Sequence, residues 1–318
     1  MVLTGASSYV KYDFETGYGS GGSPDKKFGL QDKVTSLTLT HNRINLAQLN
    51  SNYLDKFAYG QQQGTCSVGF VLSNPWVFGT ILGAPSSSSG SAPYTHTYAP
   101  SSNPKTARTI EIEVGLNAGT DIVRNLKGGI VNSINLSASI GASVDCTADV
   151  TYGNEGQVTT SLGATPTKPT SEFPYTFAHA VITVGDVELA QCQDFTLNLT
   201  QNAELLYRLG SHSAVDSFKR VLDITGSFRT TFVNSVLLAK VLQQAKKGTY
   251  AETIGGTIEF KAVFTNTANE KITITGSGLA PTDHSVSGLE PVEPIFEEIN
   301  WQMKEITVVA TSPTAAEE

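Results

Sequence analysis

Hydrophobic and polar residues alternate with a period of two along most of the chain. Val34, Leu37 and Leu39 alternate with threonines after one slip of the pattern, and Ile110 and Ile112 alternate with acidic residues. A period of two is typical of strands with one buried face and one open face. The pattern predicts strands over 34–40, 65–72, 109–114, 130–140, 144–152, 180–184, 194–200, 223–232, 257–265, 271–275 and 305–310. The sequence therefore predicts a fold dominated by β-structure, with minor α-structure.

Two short segments carry helix-start signals instead. Asn74 precedes Pro75, which predicts an N-cap and the first residue of a helix that runs to about Leu82. Asn234 begins an amphipathic segment over 234–245 and is the second predicted cap. We expect one flanking helix in each half of the chain.

The two halves of the chain resemble each other. A shift of 160 positions places 36–42 over 196–202 and Asn74 over Asn234. A shift of 148 positions places 109–111 over 257–259. Each half then runs through a strand, a loop, a strand, a capped helix and further strands. Two repeats are too few for a solenoid, so we interpret the pattern as a duplication in which one chain replaces two identical subunits of a ring.

This duplication predicts two tandem β-sandwich or barrel domains with three accessory segments. The expected divisions are an extended N-terminal arm over 1–30, a first domain over 31–153, a linker over 154–176, a second domain over 177–310 and a flexible acidic tail over 311–318. The arm is rich in glycine, but its aromatic residues, including Tyr12 and Phe28, indicate that it docks in part.

Composition narrows the function. Charged residues make up only 16% of the chain and the net charge is −8, whereas a protein that grips nucleic acid needs an excess of Lys and Arg. Residues 1–10 show no secretory signal, and no apolar run approaches the ~20 residues that span a bilayer. Cys66, Cys146 and Cys192 are widely spaced and are interpreted as buried and reduced. We expect a soluble protein that folds in a reducing cell.

No catalytic or metal-binding pattern emerges from the sequence. The pairs His212 with Asp216 and Asp283 with His284 are interpreted as polar surface features. No phosphate-binding loop or metal-ligand spacing occurs. A glutamate-rich stretch is interpreted as a solvated loop; its members are Glu290, Glu293, Glu297 and Glu298. The sequence predicts neither an enzyme nor a cofactor.

A set of short motifs, in order along 9–310, resembles a known family. The motifs are the Tyr- and Gly-rich segment 12–19 with Pro24 and Phe28-Gly29, the Pro-Tyr-Thr-His-Thr-Tyr tract 93–98, the segment 129–134, Leu-Gly-Ser at 209–211 and Ile-Thr-Gly-Ser-Phe at 224–228. Together they resemble the tail tube proteins of long-tailed phages and archaeal tailed viruses. His212 stands where the family often has Arg, which places that contact in doubt and leaves the fold unaffected.

The resemblance implies a structural virion protein that assembles in the host cytoplasm. Its expected partners are further copies of itself, other tail proteins, and genomic DNA that passes through a hollow tube without specific binding. If each tube unit gives four strands to an inner barrel, six units give about 24 strands and a circumference of about 150 Å, hence a backbone diameter of about 48 Å. Three doubled chains would complete such a ring if both halves line the bore, and six if one half decorates the outside.

Candidate positions at the lumen or between subunits come from the repeated strands. They are Glu111, Glu113, Glu259, Thr38, Thr40, Asn198 and Thr200. The glutamates could equally be outer, solvent-facing charges. Two alternatives remain open: a baseplate or tail-terminator protein that forms a single ring, and a secreted β-sandwich adhesin or carbohydrate-binding module.

Overall fold

The computed structural model describes residues 8–47, 49, 53–87, 91–100, 108–117, 121–158, 166–169, 172–185, 187–189, 191–232, 258–290 and 294–313. One described α-helix, α1 (Trp76–Leu82), accompanies the strands. The strands are β1 Tyr9–Phe14, β2 Leu30–Ala47, β3 Leu54–Val71, β4 Ser86–Ser87, β5 Tyr94–Tyr98, β6 Ile110–Asn117, β7 Asp121–Ser139, β8 Val144–Tyr152, β9 Asn154–Val158, β10 Ala180–Val184, β11 Val187–Glu188, β12 Cys192–Thr200, β13 Glu204–Leu206, β14 Asp216–Phe218, β15 Asp223–Thr231, β16 Phe260–Thr265, β17 Lys271–Ser277, β18 Ala280–Ser287, β19 Phe296–Met303 and β20 Glu305–Ser312. The prediction of a β-dominated fold is confirmed.

A continuous antiparallel path of eight strands crosses the molecule in the order β18-β19-β15-β12-β7-β8-β3-β2. We call this path the large sheet. Its centre is the pairing of β7 with β12, where Leu136 lies opposite Leu197 and Ile134 opposite Leu199. Strands from the two halves of the sequence therefore belong to one sheet, four from each half.

Most of the remaining strands form a second layer, while β13 and β14 pair with each other in a separate two-stranded sheet. The first part of β7 pairs with β6 and β9, and β6 also pairs with the arm strand β1. A separate sheet has the order β11-β10-β16-β17-β20-β5-β4. β5 comes from the first half of the sequence and pairs with β20 from the second, so this sheet also joins the two halves.

The strand order of the first half recurs in the second. In the large sheet, β2-β3-β8-β7 is followed in space by β12-β15-β19-β18. In the second layer, β1-β6-β7-β9 corresponds to β10-β16-β17-β20, and every pairing is antiparallel. The recurrence agrees with the sequence repeat. The division into two domains with a linker at 154–176 stays a prediction, and the first residues of that segment form β9.

Aromatic side chains hold the two layers together in the second half. Phe195 of β12 stacks on Phe260 of β16 with ring centroids 5.6 Å apart, and Trp301 of β19 stacks on Phe260 at 5.2 Å. All three side chains are almost completely buried. Rings of this size remove large apolar areas from water, so this cluster is a principal contribution to the core.

The arm is docked on the first half. Tyr12 and Phe28 are fully buried and their ring centroids lie 4.5 Å apart. The three cysteines are buried and free, and burial raises the pKa of Cys66 and of Cys192 to about 12. A thiol with such a pKa stays protonated at neutral pH, which makes it unreactive.

Nine of the twenty described strands were not predicted from the sequence pattern, among them β18 and β19, and the expectation about the glutamate-rich stretch is wrong in part. β19 contains Glu297 and Glu298, two members of the glutamate-rich stretch that was expected to be a solvated loop. Glu297 lies in β19 and is only 3% exposed, with its carboxylate 3.4 Å from His284 Nε2. Burial raises the pKa of Glu297 and the hydrogen bond from His284 opposes this shift. The second predicted helix, with its cap Asn234, lies outside the described residues.

Candidate functional site: the open face of the large sheet

One side of the large sheet is apolar and buried, and the other side is polar. In β8, for example, Val144, Cys146 and Ala148 point into the core, whereas Asp145 and Asp149 are exposed. The same alternation recurs in β12, where buried Phe195, Leu197 and Leu199 alternate with half-buried polar residues. We call the polar side the open face.

Four of the predicted site residues lie on the open face. Thr38 pairs with Thr65 in β3, and Thr40 pairs with Gln63. Asn198 pairs with Asn135 and Thr225, and Thr200 pairs with Ser133 and Asp223. Since directly opposite residues in an antiparallel sheet point to the same side, rows of hydroxyl and amide groups run across the sheet. The assignment of these four residues to a lumen stays a prediction.

Charges on the open face are mainly acidic. Its carboxylates are Asp145, Asp149, Asp194, Asp223, Asp283 and Glu298, and its basic residues are Lys33 and Arg229. Arg229 pairs in register with both Asp194 and Glu298. An excess of carboxylates produces a potential that repels phosphate groups.

Asp149 is held by hydroxyl groups of both neighbouring strands. Ser67 Oγ donates to one carboxylate oxygen at 2.6 Å, and Ser133 Oγ donates to the other at 2.8 Å. In the second half, Thr196 Oγ1 and Ser227 Oγ lie 2.8 Å apart across β12 and β15. These contacts order polar side chains that would otherwise be free to rotate, so the open face presents a defined polar surface.

The three predicted glutamates lie away from the open face. Glu111 is 4% exposed, and its carboxylate accepts a hydrogen bond from Asn125 Nδ2 at 2.6 Å. Glu113 forms an ion pair with Lys11 of the arm at 3.1 Å and accepts a hydrogen bond from Tyr9. Glu259 is exposed just before β16. Glu113 contacts the arm and Glu111 contacts β7, and the assignment of the three glutamates to a lumen or a subunit contact stays a prediction.

Asn74 lies at the start of α1 and joins it to the arm. Its Oδ1 accepts a hydrogen bond from the backbone N–H of Trp76 at 3.2 Å. The helix begins at Trp76 with Pro75 in the preceding position and no side-chain bond from Pro75 itself. Helix ends vary by a residue with the definition used, and the Asn74 contact has the pattern of a side-chain cap. Its Nδ2 also donates to the carbonyl oxygen of Phe28 in the arm at 3.4 Å and to Glu172 at 3.2 Å.

A partly buried ion pair connects β7 and β9, and a tyrosine beside it contacts β2. Arg124 of β7 binds Glu155 of β9 through two hydrogen bonds of 2.5 and 2.8 Å. Tyr152 Oη lies 2.7 Å from the same carboxylate and 3.0 Å from the carbonyl oxygen of Thr38. Burial opposes ionisation of Glu155, but the bonds from Arg124 and Tyr152 outweigh burial and lower its pKa. Residues more than a hundred positions apart meet here, so no local pattern could reveal the contact.

The hairpin of β2 and β3 ends in an exposed apolar surface. Its tip carries Ile44, Tyr53, Phe57 and Tyr59, which are 55%, 84%, 58% and 69% exposed, and Leu49 at 97%. We call these five residues the hairpin tip. Phe57 and Tyr59 lie on one side of the hairpin and Ile44 on the other, and exposed apolar side chains that form a patch usually mark an interaction surface.

Neither a metal-ligand cluster nor a helix suited to a membrane was found in the described part of the chain. Over these ranges, no group of three or more His, Cys, Asp or Glu side chains is placed to hold a metal ion. Within the same residues, no helix combines the length and apolar character needed to cross a membrane.

Comparison with known proteins assigns the chain to a family. A family model described as phage tail tube protein matches residues 5–303. A comparison with curated proteins found no match. The match covers nearly the whole chain, including every strand of the large sheet, and β20 of the second layer lies beyond it. The chain therefore belongs to the phage tail tube protein family, a structural rather than enzymatic family whose members assemble into the tube of the virion tail.

Proposed function

We propose that three copies of this chain close into a ring with pseudo-six-fold symmetry, and that the rings stack into a hollow tube that conducts genomic DNA at ejection. The observation that carries the proposal is the large sheet, to which each half contributes four strands in the same order. Rings of identical contacts are the usual outcome of head-to-tail association that closes. Assembly takes place in the host cytoplasm.

Strand arithmetic supports three chains rather than six. Three copies of an eight-stranded path supply about 24 strands, which at ~4.8 Å spacing and ~40° tilt enclose a backbone diameter of about 48 Å. Six copies would double that diameter and leave a bore far wider than a duplex. The presence of both halves in one sheet favours the smaller ring, because neither half is free to decorate the outside alone.

The chemistry of the open face supports a DNA-conducting role. Carboxylates outnumber basic residues on this face, and hydroxyl and amide groups fill most other positions. DNA binding requires Lys and Arg that displace counterions from phosphates. A bore lined by this face would repel the phosphates and let the duplex slide without specific binding.

The hairpin tip supports stacking of one ring on the next. Its apolar side chains project from the end of a hairpin that extends beyond the rest of the large sheet, because β2 and β3 are each 18 residues long whereas β8 has nine. Burial of such side chains stabilises an interface by about 25 cal/mol per Å² of apolar area. At the ends of the tube, the same surfaces would contact other tail proteins.

Electron microscopy of the purified protein tests the proposal. Long hollow tubes are the expected result. Separate rings that never polymerise would support the alternative of a baseplate or tail-terminator protein, and a compact monomer that binds glycans would support an adhesin. Either of these results would contradict the proposal, whereas filaments of uniform width with a stain-filled channel would support it.

A further inference from the structure

Both ends of the large sheet are open edges. Within the described residues, β2 pairs only with β3, and β18 pairs only with β19 in the large sheet. Unpaired edges expose backbone N–H and C=O groups and invite association with another strand. We infer that β18 of one copy pairs antiparallel with β2 of the next, in one specific register that the chain already contains at the β7–β12 pairing. This inference rests on the proposed ring and specifies its junction.

Strands β2 and β3 of the first half have equivalents in the second half. The sequence repeat with its shift of 160 positions places Thr38 on Asn198 and Ser67 on Ser227. β2 is therefore equivalent to β12, and β3 to β15. The pairing agrees, since Ser36 lies opposite Ser67 in the first half and Thr196 lies opposite Ser227 in the second.

The pairing of β3 and β15 with their neighbouring strands identifies further equivalent residues. Ser67 lies opposite Asp149, and Ser227 lies opposite Asn300, so Asp149 is equivalent to Asn300. Asp149 also lies opposite Ser133, as Asn300 lies opposite Asp283. β7 is therefore equivalent to β18, with Ser133 matched to Asp283.

The register of the β7–β12 pairing predicts the register between the open edges β18 and β2. Within the chain, Ser133 lies opposite Thr200 and Asn135 opposite Asn198. Replacing each residue by its equivalent places Asp283 opposite Thr40 of the next copy and Ser285 opposite Thr38. Continuing along the strands places Ser287 opposite Ser36. These three pairs are polar and belong to the open face, which would continue unbroken from one copy to the next.

Side-chain burial supports the junction independently of strand order. Leu197 and Leu199 of β12 are 1% and 0% exposed, because β7 covers them. Their equivalents in β2, Leu37 and Leu39, are only partly buried. At the opposite edge, Val286 of β18 is 38% exposed, whereas its equivalent in β7, Leu136, is 0% exposed. The two edges thus carry apolar residues that lack the cover which their counterparts have.

Placing β18 against β2 would bring these partly exposed residues together. In the transferred register, Val286 lies opposite Leu37, as Leu136 lies opposite Leu197, and His284 lies opposite Leu39. The partner that the edges fit is therefore a second copy of this chain. Pairing of β18 with β2 would complete both the backbone hydrogen bonds of the two edge strands and these apolar contacts.

Disulfide cross-linking of the full-length chain tests the register. Ser285→Cys combined with Thr38→Cys places two thiols opposite each other in the inferred junction. Ser287→Cys with Thr40→Cys is the off-register control, since these positions would be four residues apart along the strands, about 13 Å. Asn135→Cys with Asn198→Cys is the reference for geometry, because those residues are observed opposite each other within the chain. The native cysteines are buried and should contribute little background.

After oxidation with copper phenanthroline and electrophoresis without reductant, the Ser285/Thr38 variant should give covalent dimers and trimers. We expect its yield to be at least about tenfold that of the off-register pair, because a disulfide needs a Cα–Cα distance of about 4.4–6.8 Å. Equal yields, or no inter-chain product while the reference pair forms its disulfide, would overturn the inferred register. Rings or tubes seen by microscopy in that case would leave the proposed function standing.

Hydrogen exchange on the wild-type chain provides a test that depends on no variant. Backbone amides of both β2 and β18 should exchange at least about tenfold more slowly in the assembled protein than in unassembled chains. The amides of β7 and β12, which are already paired, should change little. Unchanged exchange at either edge on assembly would overturn the inference.

Discussion

The equivalent leucines of the two halves offer a matched pair of perturbations. Leu199 of β12 is fully buried, whereas Leu39 of β2 is only partly buried at the sheet edge. Truncation of a fully buried leucine to alanine costs about 2–5 kcal/mol, which combines lost transfer energy with the cost of the cavity. We therefore expect Leu199→Ala to lower the free energy of unfolding of the unassembled chain by about 3 kcal/mol. Leu39→Ala should cost about 1 kcal/mol, because water already reaches part of that side chain.

For the assembly equilibrium, by contrast, the loss of Leu39 should matter more than the loss of Leu199. If the exposed part of Leu39 is covered at each junction, its loss removes about 0.5–1 kcal/mol per junction at 25 cal/mol per Å². A ring with three junctions would then lose about 1.5–3 kcal/mol, which corresponds to a change in the assembly equilibrium of about tenfold or more. Leu199→Ala removes no such contact, so it should affect assembly only through fold stability.

Two measurements separate these effects. Urea denaturation of dilute chains, kept unassembled and checked by light scattering, gives the free energy of unfolding of each variant. Sedimentation of the same variants at increasing concentration gives the threshold for assembly. If Leu39→Ala destabilised the unassembled chain as much as Leu199→Ala and left the threshold unchanged, then the partial exposure of Leu39 would have no role in association and the reasoning would be refuted.

Two further predictions concern other surfaces. Phe57→Ser at the hairpin tip should give rings that stack poorly, which electron microscopy would show as short tubes or single rings. Val221→Ser, at another exposed position, is the control and should leave tube length unchanged. Tubes of normal length from Phe57→Ser would contradict the stacking role. Burial, with a smaller effect of nearby Glu172, raises the pKa of Asp32 to about 6. The fold therefore favours the neutral carboxyl, and the contribution of Asp32 to the stability of the fold falls as pH rises from about 4 to 6. Asp32→Asn should therefore be more stable than the wild type at pH 7 by about 1–2 kcal/mol. In denaturation experiments this difference in stability should vanish below about pH 4. A difference that persists below that pH would contradict this explanation.

The sequence pattern was sufficient where strands alternate regularly. β8 and β10 have the predicted boundaries, and β12 and β15 differ from the prediction by no more than two residues. In β8 and β12, every buried residue is apolar and every other residue is polar, so the periodicity reports the environment directly. The duplication was also visible in the sequence, because equivalent strands keep their polar and apolar positions even where few identical residues remain.

The pattern failed where distant contacts decide burial. β19 contains Glu297 at an inward position, and His284 of β18 approaches this carboxylate to 3.4 Å. Glu111 and Glu113 alternate as open-face residues would, but the arm covers them through a pairing between residues about a hundred positions apart. Local periodicity contains no information about such partners. The open face itself, with its six carboxylates, emerged only once the strand register was known.

Cryo-electron microscopy of the assembled tube tests the central claim most directly. The account predicts rings with three-fold symmetry and a mass of three 33.8-kDa chains, in which about 24 inner strands surround the bore and the open face points inward. A ring of six chains, or a bore lined by the buried aromatic side of the large sheet or by only one half of each chain, would contradict it.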